Sequence, residues 1–430
     1  MSRFEIKEIK ARQLVDCKCR PMVEVDVTTA DGFLGRGSAP TGTSVGTHEA
    51  YVLRDNDPKE YRGLGVRKAV RNVSDIIAPA LIGMDVRDQR GIDEKMIALD
   101  GTKNKGNLGG NALYSTSVAC ARAAAAATGM PLYRRLAGQS IKTVPIPSFN
   151  LINGGKYRDF TQAFNEFILL PYRAAGIEEA VEIGIDVFQI LREEIEAFAG
   201  KPPEVAGSFG YAAPSGDPEV VLGLLCRAAE RGGYADKVAF ALDCASDEMY
   251  DADTKTYLLN GRRVTADALI DYAGALSEKF NLVFIEDLLE EDDVAGFARA
   301  RQRIKRANIL GDDFIASNLE RLQTAHEAGA VDGFILKPNQ IGTITEALDT
   351  AAYAHKHNLI VSASGRSGGV VDDPVMDVAV GLQLGFIKNG APRSGERIDK
   401  LNFLMRACDL NPGCALSDIS NVIKFYYPGP

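Results

Sequence analysis

A series of short apolar runs in this sequence ends on residues that hold or move charge. Residues 238–242 lead to Asp243, residues 282–285 to Glu286 and Asp287, and residues 308–310 to Asp312 and Asp313. Residues 333–336 end on Lys337, residues 359–361 on Ser364-Gly-Arg-Ser367, and residues 385–387 on Lys388. If these runs are neighbouring strands, Asp243, Glu286 and Asp312 supply three oxygen ligands to one rim, a hard set suited to Mg²⁺. Each Asp can also be read as the cap of the helix that follows it, and Lys337 as a structural lysine reaching solvent or a salt bridge. Taken together, the acids face two lysines, and two ammonium groups near each other and near a cation are expected to lower each other's pKa. That would make a neutral lysine available as a base. Arg366 with Ser367 offers a fork and a hydroxyl suited to a phosphate or second carboxylate. The chemistry implied is removal of a proton α to a carboxylate, with metal stabilising the ene-diolate.

The elements that must position these groups follow from the spacing. From Glu286 on, successive strand ends are separated by roughly 22 to 29 residues, as a (β/α)₈ barrel of ~250 residues requires. Helical patterns over 293–306 and 343–357 separate the strands. A doubly wound open sheet is the competing architecture; it would usually carry a Gly-rich phosphate loop after its first strand, and none is present. Ahead of the barrel, residues 22–29 alternate as a half-buried strand does, and Ala30-Asp-Gly32 supplies hairpin chemistry. Helical patterning covers 66–82 and 112–128, the second alanine-rich and so able to pack closely. Residues 42–48 read as a mobile, exposed Gly/Thr/Ser loop. The division expected is an α+β capping unit over 1–138 and a barrel over 139–430.

Composition narrows the classes. The chain has 430 residues, 25% charged and 46% hydrophobic, with a net charge of −9 and no basic run. Nucleic-acid binding is therefore not expected, while a small anionic ligand in a local cationic pocket is. No apolar stretch is long enough to span a membrane, and no signal pattern opens the chain. The seven scattered cysteines read as reduced thiols of a cytoplasmic protein. Only four histidines occur, none in a zinc-protease context.

These residues resemble the enolase (phosphopyruvate hydratase) family over nearly the whole chain. The similarity is carried by Gly46-Thr-His-Glu-Ala50, Leu99-Asp-Gly-Thr-Lys-Asn-Lys105, Asn150-Leu-Ile-Asn-Gly-Gly155, Leu242-Asp-Cys-Ala-Ser246, Ile285-Glu-Asp287, Gly311-Asp-Asp313, Leu336-Lys-Pro-Asn-Gln-Ile-Gly342 and Ile387-Lys-Asn-Gly-Ala-Pro392. The resemblance implies an enolase-like modified barrel that begins with two strands and two helices. It assigns Asp243, Glu286 and Asp312 to Mg²⁺, Lys337 to the base, Lys388 to a substrate carboxylate, and Arg366 and Ser367 to a phosphate. Ser44 matches a loop serine that helps bind a second Mg²⁺. A homodimer or an assembly of dimers is implied as well, although the family's Asp-Ser-Arg-Gly is here Asp16-Cys-Lys-Cys19, which alters the inherited interface.

Three departures matter. The family's acid glutamate falls on Phe209, and its two active-site histidines fall on Gly365 and Tyr157. The neighbouring Glu166 is kept, preceded by Asn165 instead of Gln. The expectation is that proton abstraction is retained while the leaving-group pocket is rebuilt. Gly365 would open space, Phe209 would make part of the pocket apolar, and Lys156, Tyr157 and Arg158 would bring new donors, with Tyr157 or Glu166 as replacement acid. A Mg²⁺-dependent dehydratase of a 2-phosphoglycerate-like phospho- or phosphono-carboxylate fits, for example one similar to carboxyphosphonoenolpyruvate synthase. The alternatives are ordinary phosphopyruvate hydratase with a substitute acid, an epimerase or isomerase, and a non-catalytic scaffold.

Overall fold

The computed structural model describes residues 2–42, 46–158 and 162–426, the side chain of Arg158 excepted. The chain opens with an antiparallel sheet of β1 (Ile6–Val15), β2 (Pro21–Thr29) and β3 (Leu34–Ser38). Gly32 takes φ +85 in the hairpin between β2 and β3, the left-handed conformation that glycine adopts at no steric cost. Helix α1 (Gly110–Thr128) lies on this sheet, and its alanines let the backbones nearly touch. A Cβ at Gly35 would sit 2.1 Å from the Ala119 carbonyl oxygen, and one at Gly37 2.1 Å from that of Ser115.

β2 is buried on both faces, not half-buried as its alternation suggested. Its polar face is covered by arginines: Arg12 Nη1 meets Glu24 at 2.6 Å and Arg36 Nε meets Asp26 at 2.7 Å. Polar alternation therefore marked a face of ion pairs instead of a solvent face. The helical patterning expected over 66–82 forms one continuous run from Arg67 to Leu81 with a wide π turn at Val73–Ile77. Pro79, which has no N–H to donate to the preceding turn, follows it.

The remainder closes into a barrel. Its strands are β4 (Ile146–Asn153), β5 (Glu166–Leu170), β6 (Ala239–Asp243), β7 (Leu282–Glu286), β8 (Asn308–Gly311), β9 (Gly333–Leu336), β10 (Ile360–Ser364) and β11 (Phe386–Lys388). β11 pairs back onto β4 with Phe386 opposite Ile146, so no edge is left. β4 and β5 are antiparallel and are followed by two helices, α2 (Ile177–Ala199) and α3 (Pro218–Arg231), before β6. From β6 to β11 every pairing is parallel. The modified barrel with two leading strands and two helices is thus observed. Its interior is filled by buried side chains such as Ile168, Ala241, Phe284, Leu310, Ile335 and Phe386, with Phe284 and Phe386 stacked at 5.4 Å.

Register places the chemistry. Glu166 lies opposite Asp243, and Asp243 opposite Glu286, so three carboxylates stand in one row at the strand ends. β5 runs against its neighbours, which is why its first residue shares a rim with their last. Ser148, Lys388 and Ser364 form a second row across the barrel.

Candidate active site

The cleft at this rim, of about 690 Å³, is lined by residues from both rows and from the following loops. Lys388 is buried and its ammonium meets three carboxylates: Glu286 at 2.6 Å, Asp243 at 2.9 Å and Glu166 at 3.2 Å. Lys337 pairs with Asp312, whose other oxygen accepts a hydrogen bond from Gln340 Nε2 at 2.9 Å. Gln340 in turn accepts from Ser317 Oγ at 2.9 Å, and that hydroxyl accepts from the Lys337 N–H at 2.8 Å. The short helix Pro338–Ile341 therefore serves to hold the ligand of the strand before it. Sequence reasoning saw the signature around Gln340 but not this task.

Carboxylates hold both lysines above their ordinary values. Burial and the charges of Arg366 and Lys388 work to lower Lys337, yet the carboxylates around it, Asp312 foremost and then Asp313, hold the ammonium above its ordinary value. Lys388 is likewise opposed by burial but raised well above its usual range by Asp243, Glu286 and Glu166. Each ammonium meets a carboxylate, Lys337 that of Asp312 and Lys388 that of Glu286.

The seven carboxylates Glu49, Glu166, Asp243, Glu286, Asp287, Asp312 and Asp313 outnumber the five cations Lys337, Arg366, Lys388, Arg397 and Lys400 around this rim. Burial lifts the carboxyls of Glu286, Asp287 and Asp313 well above the ordinary range, and the neighbouring acids add to it. Such an excess of buried carboxylate oxygens matches a divalent cation with hard-ligand preference. The tightest carboxylate group is Asp287, Asp312 and Asp313. Asp287 acts as a brace: its residue sits at φ +44, and its two oxygens accept the backbone N–H groups of Asp312 and Asp313 at 2.8 Å each. Asp243, Glu286 and Asp312, the expected metal ligands, come together at the ends of three adjacent strands, with Asp312 common to both groupings.

Arg366 is buried and forked onto Glu49, Nη1 to Oε2 at 2.8 Å and Nη2 to Oε1 at 3.0 Å. Glu49 closes the segment Gly46-Thr-His-Glu, which is tied to the barrel: the Thr47 N–H donates to Glu291, and His48 Nε2 meets Asp292 at 2.9 Å. Ser44 lies outside the described residues, and the expected mobility of its loop does not extend to Thr47 and His48. Ser367 and Tyr157 both line the cleft and are hydrogen-bonded to each other. Burial, then the charge of Glu166, pushes the Tyr157 hydroxyl up to about 12, so it stands protonated. Burial also raises Glu166, with Lys388 opposing. Asn165 lines the cleft with a buried Oδ1 that no donor reaches, and Asn389 Oδ1 is in the same condition. Orphaned polar atoms inside a cleft mark places where a ligand supplies the partner.

Three expectations about the rebuilt pocket need correction. The Phe209 ring does not line the cleft; it lies 4.6 Å from the Arg397 guanidinium, and Ser208 of the same loop faces the cleft instead. Phe209 adopts φ +70, a left-handed backbone conformation uncommon outside glycine. Gly365 does not open empty space, because a Cβ there would lie 2.4 Å from Lys400 Nζ, whose ammonium fills the room. Lys156 is exposed and pairs with Glu248 at 3.4 Å, outside the cleft. Lys400 and Arg397 do line the cleft, and sequence reading missed both. Their signal was the charge run Gly395-Glu-Arg-Ile-Asp-Lys400, which reads as the solvated face of a helix.

Comparison with known proteins covers both parts of the chain. A family described as "Enolase, N-terminal domain" matches residues 6–136, and one described as "Enolase, C-terminal TIM barrel domain" matches residues 141–412. The proteins named "Enolase" from Methanococcus aeolicus and Methanocaldococcus jannaschii are each 42% identical, over 94% of this chain and 95% of their own length. The "Enolase" of Methanopyrus kandleri is 42% identical over 93% of this chain and 95% of its own.

Proposed function

The chain belongs to the enolase family and is a lyase of that family, and on that premise we propose that it removes the α-proton of a small phospho- or phosphono-carboxylate related to 2-phosphoglycerate. The observation that carries this reading is the placing of Lys337 and Lys388 on either side of the row Asp243, Glu286 and Asp312, inside one cleft. Asp243, Glu286 and Asp312 would hold Mg²⁺, which supplies positive charge against which an ene-diolate forms. Lys388 receives the substrate carboxylate. Arg366 and Ser367 receive the phosphoryl group; Glu49 keeps the Arg366 fork oriented. Asp312, once its charge is taken up, no longer holds Lys337 protonated. Burial and the Arg366 and Lys388 charges then lower the lysine toward the range of a base. Tyr157 is protonated and faces the cleft beside Glu166, so either is placed to give a proton to the leaving group; Asn165 presents an acceptor beside them.

At the leaving-group end two substrates compete. The relatives' name favours the ordinary conversion of 2-phosphoglycerate to phosphoenolpyruvate. The absence of an acid at Phe209 and the glycine at 365 favour a substrate altered at that end, as in a carboxyphosphonoenolpyruvate-synthase-like enzyme. General acid catalysis is typically worth ~10²–10⁴-fold, so an unaltered substrate should turn over slowly. A Mg²⁺-dependent assay on 2-phosphoglycerate, with α-proton exchange followed in deuterium oxide, separates them. Phosphoenolpyruvate formed at a normal enolase rate supports the ordinary substrate, slow formation supports the altered one, and exchange with no elimination supports an epimerase or isomerase. Lys337→Ala must abolish exchange, and full exchange in that variant removes the lysine from the role of base. We read residues 1–138 as a cap over the barrel of 139–430 and expect a homodimer or an assembly of dimers, which sedimentation measures.

A further inference from the structure

One wall of the cleft presents two cations, Lys400 and Arg397. Lys400, on helix α4 (Gly395–Asp409), is 3% exposed and lines the cleft. Its ammonium has an ion-pair partner in Asp373, whose Oδ2 lies at 3.7 Å, beyond hydrogen-bonding distance. That Oδ2 is itself buried without a donor. A buried ammonium has three N–H groups to satisfy, and leaving them unmatched is costly. Arg397, one turn earlier and also 3% exposed, reaches the same wall with Nη1 on Glu396 at 2.5 Å.

The backbone facing these two cations carries no side chains. A Cβ at Gly365 would fall 2.4 Å from Lys400 Nζ, and one at Gly390 2.2 Å from Arg397 Nε. Lys18 rests its ammonium 5.2 Å from the Tyr157 ring. Burial, then the charges of Arg20 and Arg397, lower that lysine to about 8. Arg366 is separate, its fork oriented by Glu49.

We propose that Lys400 and Arg397 form an anion subsite for a second acidic group, a carboxylate or a phosphonate, carried by the substrate on the carbon next to the one that loses its proton. The inference rests on the reading of the cleft as an α-proton-abstracting site. It names the class of substrate: a molecule with three acidic groups, one each for Lys388, Arg366 and Lys400.

Calorimetry with Mg²⁺ present tests this on a matched pair of probes. In 2-phospholactate that carbon is a bare methyl group, and in 2-phosphomalate it carries a carboxylate. The protein is expected to bind 2-phosphomalate at least roughly tenfold more tightly, as a charge-assisted hydrogen bond implies. In Lys400→Met the affinity ratio should fall to near one, and Lys400→Arg should restore most of it. Because Lys400→Met strips a partner from buried Asp373, the double variant Lys400→Met/Asp373→Asn guards against misfolding and should show the same collapse. A ratio at or below one in the unmodified protein, or a ratio that survives in both Met variants, overturns the subsite. If 2-phospholactate neither binds nor exchanges its α-proton, the reading of the cleft fails and takes the subsite with it. If it exchanges while the ratio is one or less, the subsite alone fails.

Discussion

Replacing Lys388 by Met should make the protein bind Mg²⁺ more tightly while removing its turnover. The Lys388 ammonium sits within 2.6 to 3.2 Å of Glu286, Asp243 and Glu166, so it competes for oxygens that the cation would take. Two unit charges ~4 Å apart at an effective dielectric near 20 interact by ~4 kcal/mol. A third of that, surviving relaxation, is enough for a tenfold change in affinity. Calorimetric titration of Mg²⁺ into both proteins should therefore show at least ~10-fold tighter binding in Lys388→Met. Stability moves the other way without metal, because breaking a buried ion pair by removing one partner costs ~3–5 kcal/mol. Added Mg²⁺ at about a hundred times its dissociation constant should return ~2.7 kcal/mol of it in urea melts. Mg²⁺ affinity that is equal or weaker in the variant would refute the assignment of Asp243 and Glu286 as ligands.

Two further outcomes follow from other buried charges. Glu49→Gln leaves the Arg366 guanidinium buried without its carboxylate and should cost ~3–5 kcal/mol, read as a shifted urea midpoint. The double variant Glu49→Gln/Arg366→Met should recover much of the loss, and failure to recover would mean that the pair is not what Glu49 contributes. Asp377 is raised to about 7 by burial, then by Asp372, against the opposing charge of Arg122 and the Tyr133 N–H. The folded protein thus keeps a proton that the unfolded chain gives up near pH 4. Stability should accordingly fall as pH rises from about 4 to about 7, by up to ~4 kcal/mol, and level off above. Asp377→Asn removes this slope; parallel pH profiles for the two proteins would contradict it.

The fold and one half of the site were readable because they depend on local order. Apolar runs ending in charge, at regular spacing, place Asp243, Glu286, Asp312, Lys337 and Lys388 on one rim whatever the side chains then do. What the chain did not disclose is which charge meets which. Lys337 and Lys388 seemed to repel each other, yet register, with Glu166 beside Asp243 and Asp243 beside Glu286, surrounds Lys388 with carboxylates, and Lys337 meets Asp312. Glu49 reaches Arg366 from far along the chain, a contact no window of sequence contains. Substituted positions were misread in the same way. Gly365 looked like a hole, yet a flexible lysine from α4 occupies it, and Phe209 packs against Arg397 from a left-handed backbone position.

The reversed direction of β5 sets how this site can change. β6 to β11 leave the rim into helices, and any alteration in them risks shifting the parallel register that aligns the acids with the lysines. The hairpin of β4 and β5, by contrast, presents its connecting loop to the same rim, and the segment carrying Ser208 and Phe209 lies beside it through the pairing of Ile152 with Tyr211. Loops tolerate substitution and insertion that strands do not. Two of the three departures from the family, Tyr157 and Phe209, fall in these loops. The barrel is in this sense built in two trades: a fixed frame that begins every reaction alike, and an exchangeable fitting that decides which molecule it begins on.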